Sequence, residues 1–108
     1  PKSCGREDFG TDFLTKLKGQ LKHLNHSDML ATLTELTARS VAHAYHKHCS
    51  KIPDVIILCG GGAKNKYLRK RIHYYLPQTE LLTTDDLGWP VESIEGAAFA
   101  LLAAYHIW

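Results

Sequence analysis

Apolar residues recur at helical spacing near the start of the chain, at Phe13, Leu14, Leu17, Leu21 and Leu24, with Lys16, Lys18 and Lys22 between them. That pattern predicts an amphipathic helix from Phe9 to Leu24. The stretch "NHS" (25–27) breaks it. Ser27 is placed to cap a second helix, with Asp28 in its first turn. This helix is expected from about Asp28 to Cys49, with Leu30, Leu33, Thr37, Val41, Ala44 and Tyr45 facing inward. The pattern then changes. "DVIILC" (54–59) is a continuous apolar run of strand length, as in a strand of a parallel sheet covered on both faces. After "GGG" (60–62), Leu68, Ile72, Tyr75 and Leu76 mark a third helix, which Pro77 stops. "TELLTT" (79–84) predicts a second strand and "DDLGWP" (85–90) a loop. From Glu92 to about Ile107 a strongly apolar helix is expected, and its Gly96, Ala97, Ala98 and Ala100 suit close packing on a sheet.

The order is therefore α-α-β-α-β-α, an α/β class. A right-handed β-α-β crossover makes the two strands parallel. Two strands are few for so much helix. Further strands are expected upstream of Pro1, and residues 1–108 read as a single partial domain.

Composition changes this picture little. Hydrophobic residues make up 44% of the 108, which is ordinary for a globular chain. The net charge of +2 calls for neither a nucleic-acid nor a membrane partner. No run approaches the roughly 20 apolar residues of a membrane span, and "PKSCGREDFG" has no signal-peptide core. Cys4, Cys49 and Cys59 are odd in number and lack CxxC spacing. That fits a reducing, cytoplasmic compartment better than a disulfide framework.

The candidate chemistry centres on "LCGGGAKN" (58–65). A strand entering Gly60–Gly61–Gly62 and then a helix places bare backbone at the carboxyl end of a parallel sheet, where open α/β sheets bind ligands. It is neither a Walker A loop nor GxGxxG. A tight turn needing positive φ explains it equally well on spacing alone. Asn65 reads first as a helix N-cap. The basic run Lys64, Lys66, Arg69, Lys70 and Arg71 is interrupted by core positions, so it reads as a solvated face; a nucleic-acid-binding helix over 64–73 is the weaker reading. His43, His46 and Cys49 share a helical face, but no second cluster completes a metal site. Asp85 and Asp86 read as a solvated turn before a metal–phosphate site. Glu95 opens an apolar helix, where it can complement the helix dipole or face a cleft.

Four segments, in this order, carry a resemblance: "PKSCGREDF" (1–9), "LCGGGAKNKYL" (58–68), "TTDDLGWP" (83–90) and "IEGAAFALLA" (94–103). Together they resemble the C-terminal part of the anhydro-N-acetylmuramic acid kinase family. The resemblance spans essentially the whole chain. It implies a partial ribonuclease H-like (actin-like ATPase) lobe, the later part of the second lobe of a two-lobed kinase. It implies an ATP-dependent reaction that opens a 1,6-anhydro sugar with water and phosphorylates O6, giving N-acetylmuramic acid 6-phosphate.

By the same resemblance, Gly60, Gly61, Gly62 and Ala63 match the turn that contacts adenosine, with Asn65 beside it. Glu95 matches an acid at the sugar side of the cleft. Lys2, Ser3, Gly5, Arg6 and Glu7 match a segment of unassigned role. ATP and Mg²⁺ are the implied cofactors, and ATP and the anhydro-amino-sugar the implied partners. The phosphate loop and catalytic base are expected upstream, so the chain alone is expected to be inactive. A two-strand fragment would expose a sheet edge and apolar faces, so self-association through those surfaces is expected. Cys4 stands where the family usually has Thr, and the end at Trp108 implies truncation or a shortened tail. The competing reading is a non-catalytic nucleotide-binding or protein-interaction module of the same superfamily.

Overall fold

A computed structural model describes residues 6–107, which divide into two compact units between Leu33 and Thr34. In the first, α1 (Arg6–Phe9) and α2 (Thr11–Gln20) precede the start of α3 (His26–His48). The Phe9 and Phe13 rings meet edge to face, 5.2 Å apart. α2 is shorter than the apolar spacing predicts. It closes when the Leu21 N–H donates to the Leu17 carbonyl at 2.9 Å. α2 buries no residue. Leu14 and Leu17 of α2 and its cap Leu21 instead flank an apolar cavity of about 220 Å³, with Met29, Leu30 and Leu33 opposite.

α3 is capped by Asn25 rather than Ser27. The Asp28 N–H donates to Asn25 Oδ1 at 2.9 Å, and Asn25 Nδ2 donates to Asp28 Oδ2 at 2.9 Å. The reciprocal pair satisfies an orphan helix donor, as a capping box does. Asn competes well with Ser for this role, and here it stands at the spacing that lets Asp28 answer it.

In the second unit the rest of α3 is followed by β1 (Val55–Leu58), α4 (Lys66–Tyr75), β2 (Glu80–Thr83) and α5 (Ile94–Ile107). The strands are parallel, in register from Val55 opposite Glu80 to Leu58 opposite Thr83. The core is Ala38 and Ala42 of α3, Ile56 of β1, and Ile72 and Leu76 of α4 and its cap. Val41, Tyr45, Ile52, Leu58, Leu68 and Leu81 are packed against it. The inward stripe of α3 is therefore Ala38, Val41, Ala42 and Tyr45, while Thr37 and Ala44 are exposed. Alanines let the helix backbone approach closely, and a pattern search weighted to large residues passes over them.

α3 and α4 are also joined by a polar clamp. Arg71 donates to both Glu35 oxygens, Nε at 2.6 Å and Nη2 at 3.0 Å, and the Tyr75 hydroxyl donates to the same carboxylate. The guanidinium lies 4.3 Å from the Tyr74 ring centre, a cation–π contact.

Two expectations fail here for one reason. β1 is covered on one face only: Ile56 is 6% exposed, but Val55 is 43% and Ile57 50% exposed. α5 buries no residue. A Cβ on its Gly96 would meet nothing within 4 Å. Phe99, Leu101, Leu102, Tyr105 and Ile107 are all exposed. The sequence pattern asks for cover on these faces, and the described residues do not supply it.

Candidate functional site

Because Leu58 pairs with Thr83, both parallel strands end at one level. The glycine turn leaves β1 there, and residues 85–92 leave β2 there. The turn opens at Gly60 with φ 73° and ψ −179°, a conformation essentially reserved for glycine. Residues Gly61–Lys64 then form a single 3-10 turn. The Ala63 N–H donates to the Gly60 carbonyl at 3.0 Å, the Asn65 N–H to the Gly62 carbonyl at 3.0 Å, and Ala63 is buried beneath them.

Gly61 and Gly62 are different from Gly60. Neither has positive φ. A Cβ on Gly61 would meet nothing within 4 Å, and one on Gly62 only Leu68 Cδ2 at 3.8 Å, an ordinary contact. The fold demands one glycine of the three. The other two leave bare, exposed backbone that nothing inside the described residues requires. Asn65 caps α4, its Oδ1 accepting from the Leu68 N–H at 3.0 Å, so its side-chain acceptor is engaged in the helix start.

The loop after β2 is tied to this turn. The Thr84 N–H donates to the Leu58 carbonyl at 3.0 Å, and the Gly60 N–H to the Val91 carbonyl at 3.1 Å. Val91 is 1% exposed, and its own N–H donates to Asp85 Oδ1 at 3.1 Å. Asp86 Oδ2 accepts from the Thr83 N–H and hydroxyl, both at 2.7 Å. These bonds, the amide first, hold the Asp86 carboxyl below the usual aspartate range. Lys64 of the turn pairs with Glu92. The hydrogen bond between them raises the lysine and lowers the glutamate from their ordinary values. Both side chains are more than half exposed, so solvent screens much of that attraction. The Thr84 hydroxyl is buried with no hydrogen-bond partner among the described residues.

The remaining candidates separate clearly. Glu95 is exposed on the first turn of α5. His43, His46 and Cys49 are exposed, and no three His, Cys, Asp or Glu side chains come together among the described residues. Within the basic run, Arg71 is held by Glu35, Arg69 Nη2 reaches the Leu81 carbonyl at 3.5 Å, and Lys64 is paired with Glu92. Lys2 to Gly5, and the side chains of Arg6 and Glu7, lie outside the described residues.

Sequence reasoning missed Val91 and the structural use of Asp85. The available signal was an Asp three residues before Gly88, whose φ of 80° ends the turn. Asp at the first position and Gly at the fourth is turn chemistry, with the Asp side chain free to bond backbone beyond it.

The sequence matches the family model for anhydro-N-acetylmuramic acid kinase over residues 1–108. Curated relatives of that name agree with it closely. The protein of Rippkaea orientalis is 46% identical over 99% of this chain and 28% of its own length. That of Synechocystis is 47% identical over 98% of this chain and 28% of its own length. That of Synechococcus elongatus is 41% identical over 98% and 28%. The chain thus spans 28% of the length of these relatives.

Proposed function

The chain belongs to the anhydro-N-acetylmuramic acid kinase family, and we propose that it supplies the adenosine-contacting part of an ATP-dependent kinase. The reaction is the hydrolysis of 1,6-anhydro-N-acetylmuramic acid with phosphorylation of O6. The two parallel strands and their helices then belong to the later part of a ribonuclease H-like second lobe, acting in the cytoplasm. Cys49 and Cys59 are free, exposed thiols, which suits a reducing compartment.

One observation carries this reading: Gly61 and Gly62 are glycines that neither backbone conformation nor internal packing requires. A ligand lying against the turn gives them a reason, because a Cβ there would stand between backbone and ligand. Gly60 and Ala63 hold the turn in shape, one by its positive φ and the other by its burial. Asn65 contributes by fixing the start of α4. Glu95 is the sugar-side acid, one short segment beyond residues 85–92, the strap that is tied to the turn. The described residues fit adenosine better than they fit Mg²⁺. Asp85 and Asp86 spend carboxylate oxygens on Val91 and Thr83, so no step is assigned to a metal held here. When bound, ATP supplies the phosphoryl group; this chain's residues bind and orient its nucleoside end.

Family membership favours the kinase over a non-catalytic module. The chain alone, which spans 28% of the length of its relatives, is expected to be inactive. Its exposed apolar helix and open sheet face favour self-association. A chimera tests the kinase reading: the matching segment of the Rippkaea orientalis protein is replaced by this chain. It should phosphorylate the anhydro-sugar with ATP, and Gly61→Val in the chimera should mainly raise the KM for ATP. A folded chimera without activity, or one whose ATP dependence ignores Gly61→Val, overturns the reading.

A further inference from the structure

The backbone around the glycine turn is held by a short chain of hydrogen bonds that begins at one carboxylate. Asp85 Oδ1 accepts from the Val91 N–H at 3.1 Å, and the Val91 carbonyl accepts from the Gly60 N–H at 3.1 Å. Val91 is 1% exposed and cannot turn to water for either bond. Gly60 is the residue whose unusual conformation sets the direction of the turn. The strap is fixed at its near end by the Gly88 N–H on the Asp85 carbonyl at 3.0 Å and the Trp89 N–H on the Thr84 carbonyl at 2.8 Å. Beyond Val91 it is fixed by the pair between Lys64 and Glu92. It then runs into α5, where the Ala97 N–H closes on the Ser93 carbonyl at 2.9 Å, one turn around Glu95.

We propose that Asp85 is a positioning residue for the nucleotide turn, acting through Val91 on Gly60. It sets the strap against the turn and so fixes where Gly61 and Gly62 present bare backbone. This rests on the adenosine reading of that turn. The same strap leads to Glu95, so Asp85 also bears on the spacing between the nucleoside and sugar sides. Asp86, its neighbour, is spent on the end of β2 and does not share this role.

The test compares the 108-residue chain with its Asp85→Ala and Asp85→Asn variants, by amide hydrogen exchange and by titration with ADP. Losing a charge-assisted hydrogen bond to a buried amide should speed exchange at Gly60 by about tenfold in Asp85→Ala. Exchange at Ile56 and Ile72 should not change. ADP binding should weaken by a similar factor. Asp85→Asn keeps an acceptor oxygen and should restore most of both. Unchanged exchange at Gly60 overturns the proposal. So does equal acceleration at Ile56 and Ile72, which marks a general loss of stability, or an Asp85→Asn variant as damaged as the alanine. Suppose instead that the parent chain binds no ADP while Gly60 responds as described. The positioning of the turn by Asp85 then stands, and the adenosine reading is what fails.

Discussion

The two faces of the β1–β2 sheet are built from similar residues and end in different environments. On one face Ile56 lies under α3 and α4, against Ala38, Ala42, Ile72 and Leu76. On the other, Val55 and Ile57 stay half open. Elsewhere α5, the most apolar of the described helices, also buries nothing. A helix apolar on all sides belongs in an interior. The contrast teaches that a run of branched residues declares that a strand will be covered, not which polypeptide covers it. Here the covered face is complete in itself. The open face fits a chain spanning 28% of its relatives' length.

The sharpest way to break this contrast is to remove the same kind of contact from each side. Ile72 is 2% exposed and central to the covered face. Ile72→Ala should cost about 3 kcal/mol, from lost burial and the cavity left behind. Leu102→Ala on α5 should stay within about 0.5 kcal/mol, as exposed positions do. Urea unfolding of both variants checks this. Equal losses would mean that α5 contributes to the folded core, and the contrast would collapse.

Much of this was legible beforehand, and the misses share a cause. Both strands, their parallel pairing, α4 and its stop before Pro77 follow from local pattern. Asn65 as a cap follows from residue type and place. The failures concern what lies across space. The stripe on α3 is set by Ala38 and Ala42, small residues that only a close partner explains. Val91 is a lone apolar residue after a proline, and no periodicity surrounds it to mark its burial. The strap from Asp85 is invisible in the sequence because it depends on Gly60, far away along the chain. At the turn itself, the sequence left Gly60–Gly62 evenly divided between turn and cradle. The structure separates them by giving positive φ to Gly60 alone.

That separation gives the next test, smaller in effect. Gly60→Ala forces a side chain into a region reserved for glycine and should cost about 1–3 kcal/mol. Gly61→Ala should leave stability within about 0.5 kcal/mol, since its Cβ points into open space. The second variant should nonetheless weaken binding of ADP. Thermal unfolding and titration calorimetry separate the two outcomes. A Gly61→Ala chain as destabilised as Gly60→Ala would return all three glycines to the fold and remove the argument for a ligand.

The covered face also carries a pH signature. Arg71, then Tyr75, hold the Glu35 carboxyl down to about 2 from an ordinary 4.5. The folded chain therefore binds that proton less readily than the unfolded chain. The clamp contributes its full stability above about 4.5 and loses it as the pH falls toward 2. The melting temperature should decline over that window, and Glu35→Gln should flatten part of the decline. Asp86 and Glu92 are lowered too, so some acid sensitivity should remain. A Glu35→Gln profile parallel to that of the parent would show that the clamp does not join α3 to α4 energetically.

The smallest expected change in stability is the most informative about α5. Leu102 is 64% exposed on α5, so Leu102→Glu should shift unfolding by no more than about 0.5 kcal/mol. Its effect should appear in assembly. Apolar faces of this kind attract whatever apolar surface is available, and in a purified sample that surface is another copy of the chain. The parent should sediment as a mixture heavier than a monomer at high concentration. Leu102→Glu should move it toward monomer, because a carboxylate buried in such a contact has no partner to offset its desolvation. A parent that sediments as a clean monomer would show that the exposed apolar surface of α5 is tolerated in water. A variant that assembles as the parent does would place the contact elsewhere, on the exposed edge of the sheet rather than on α5.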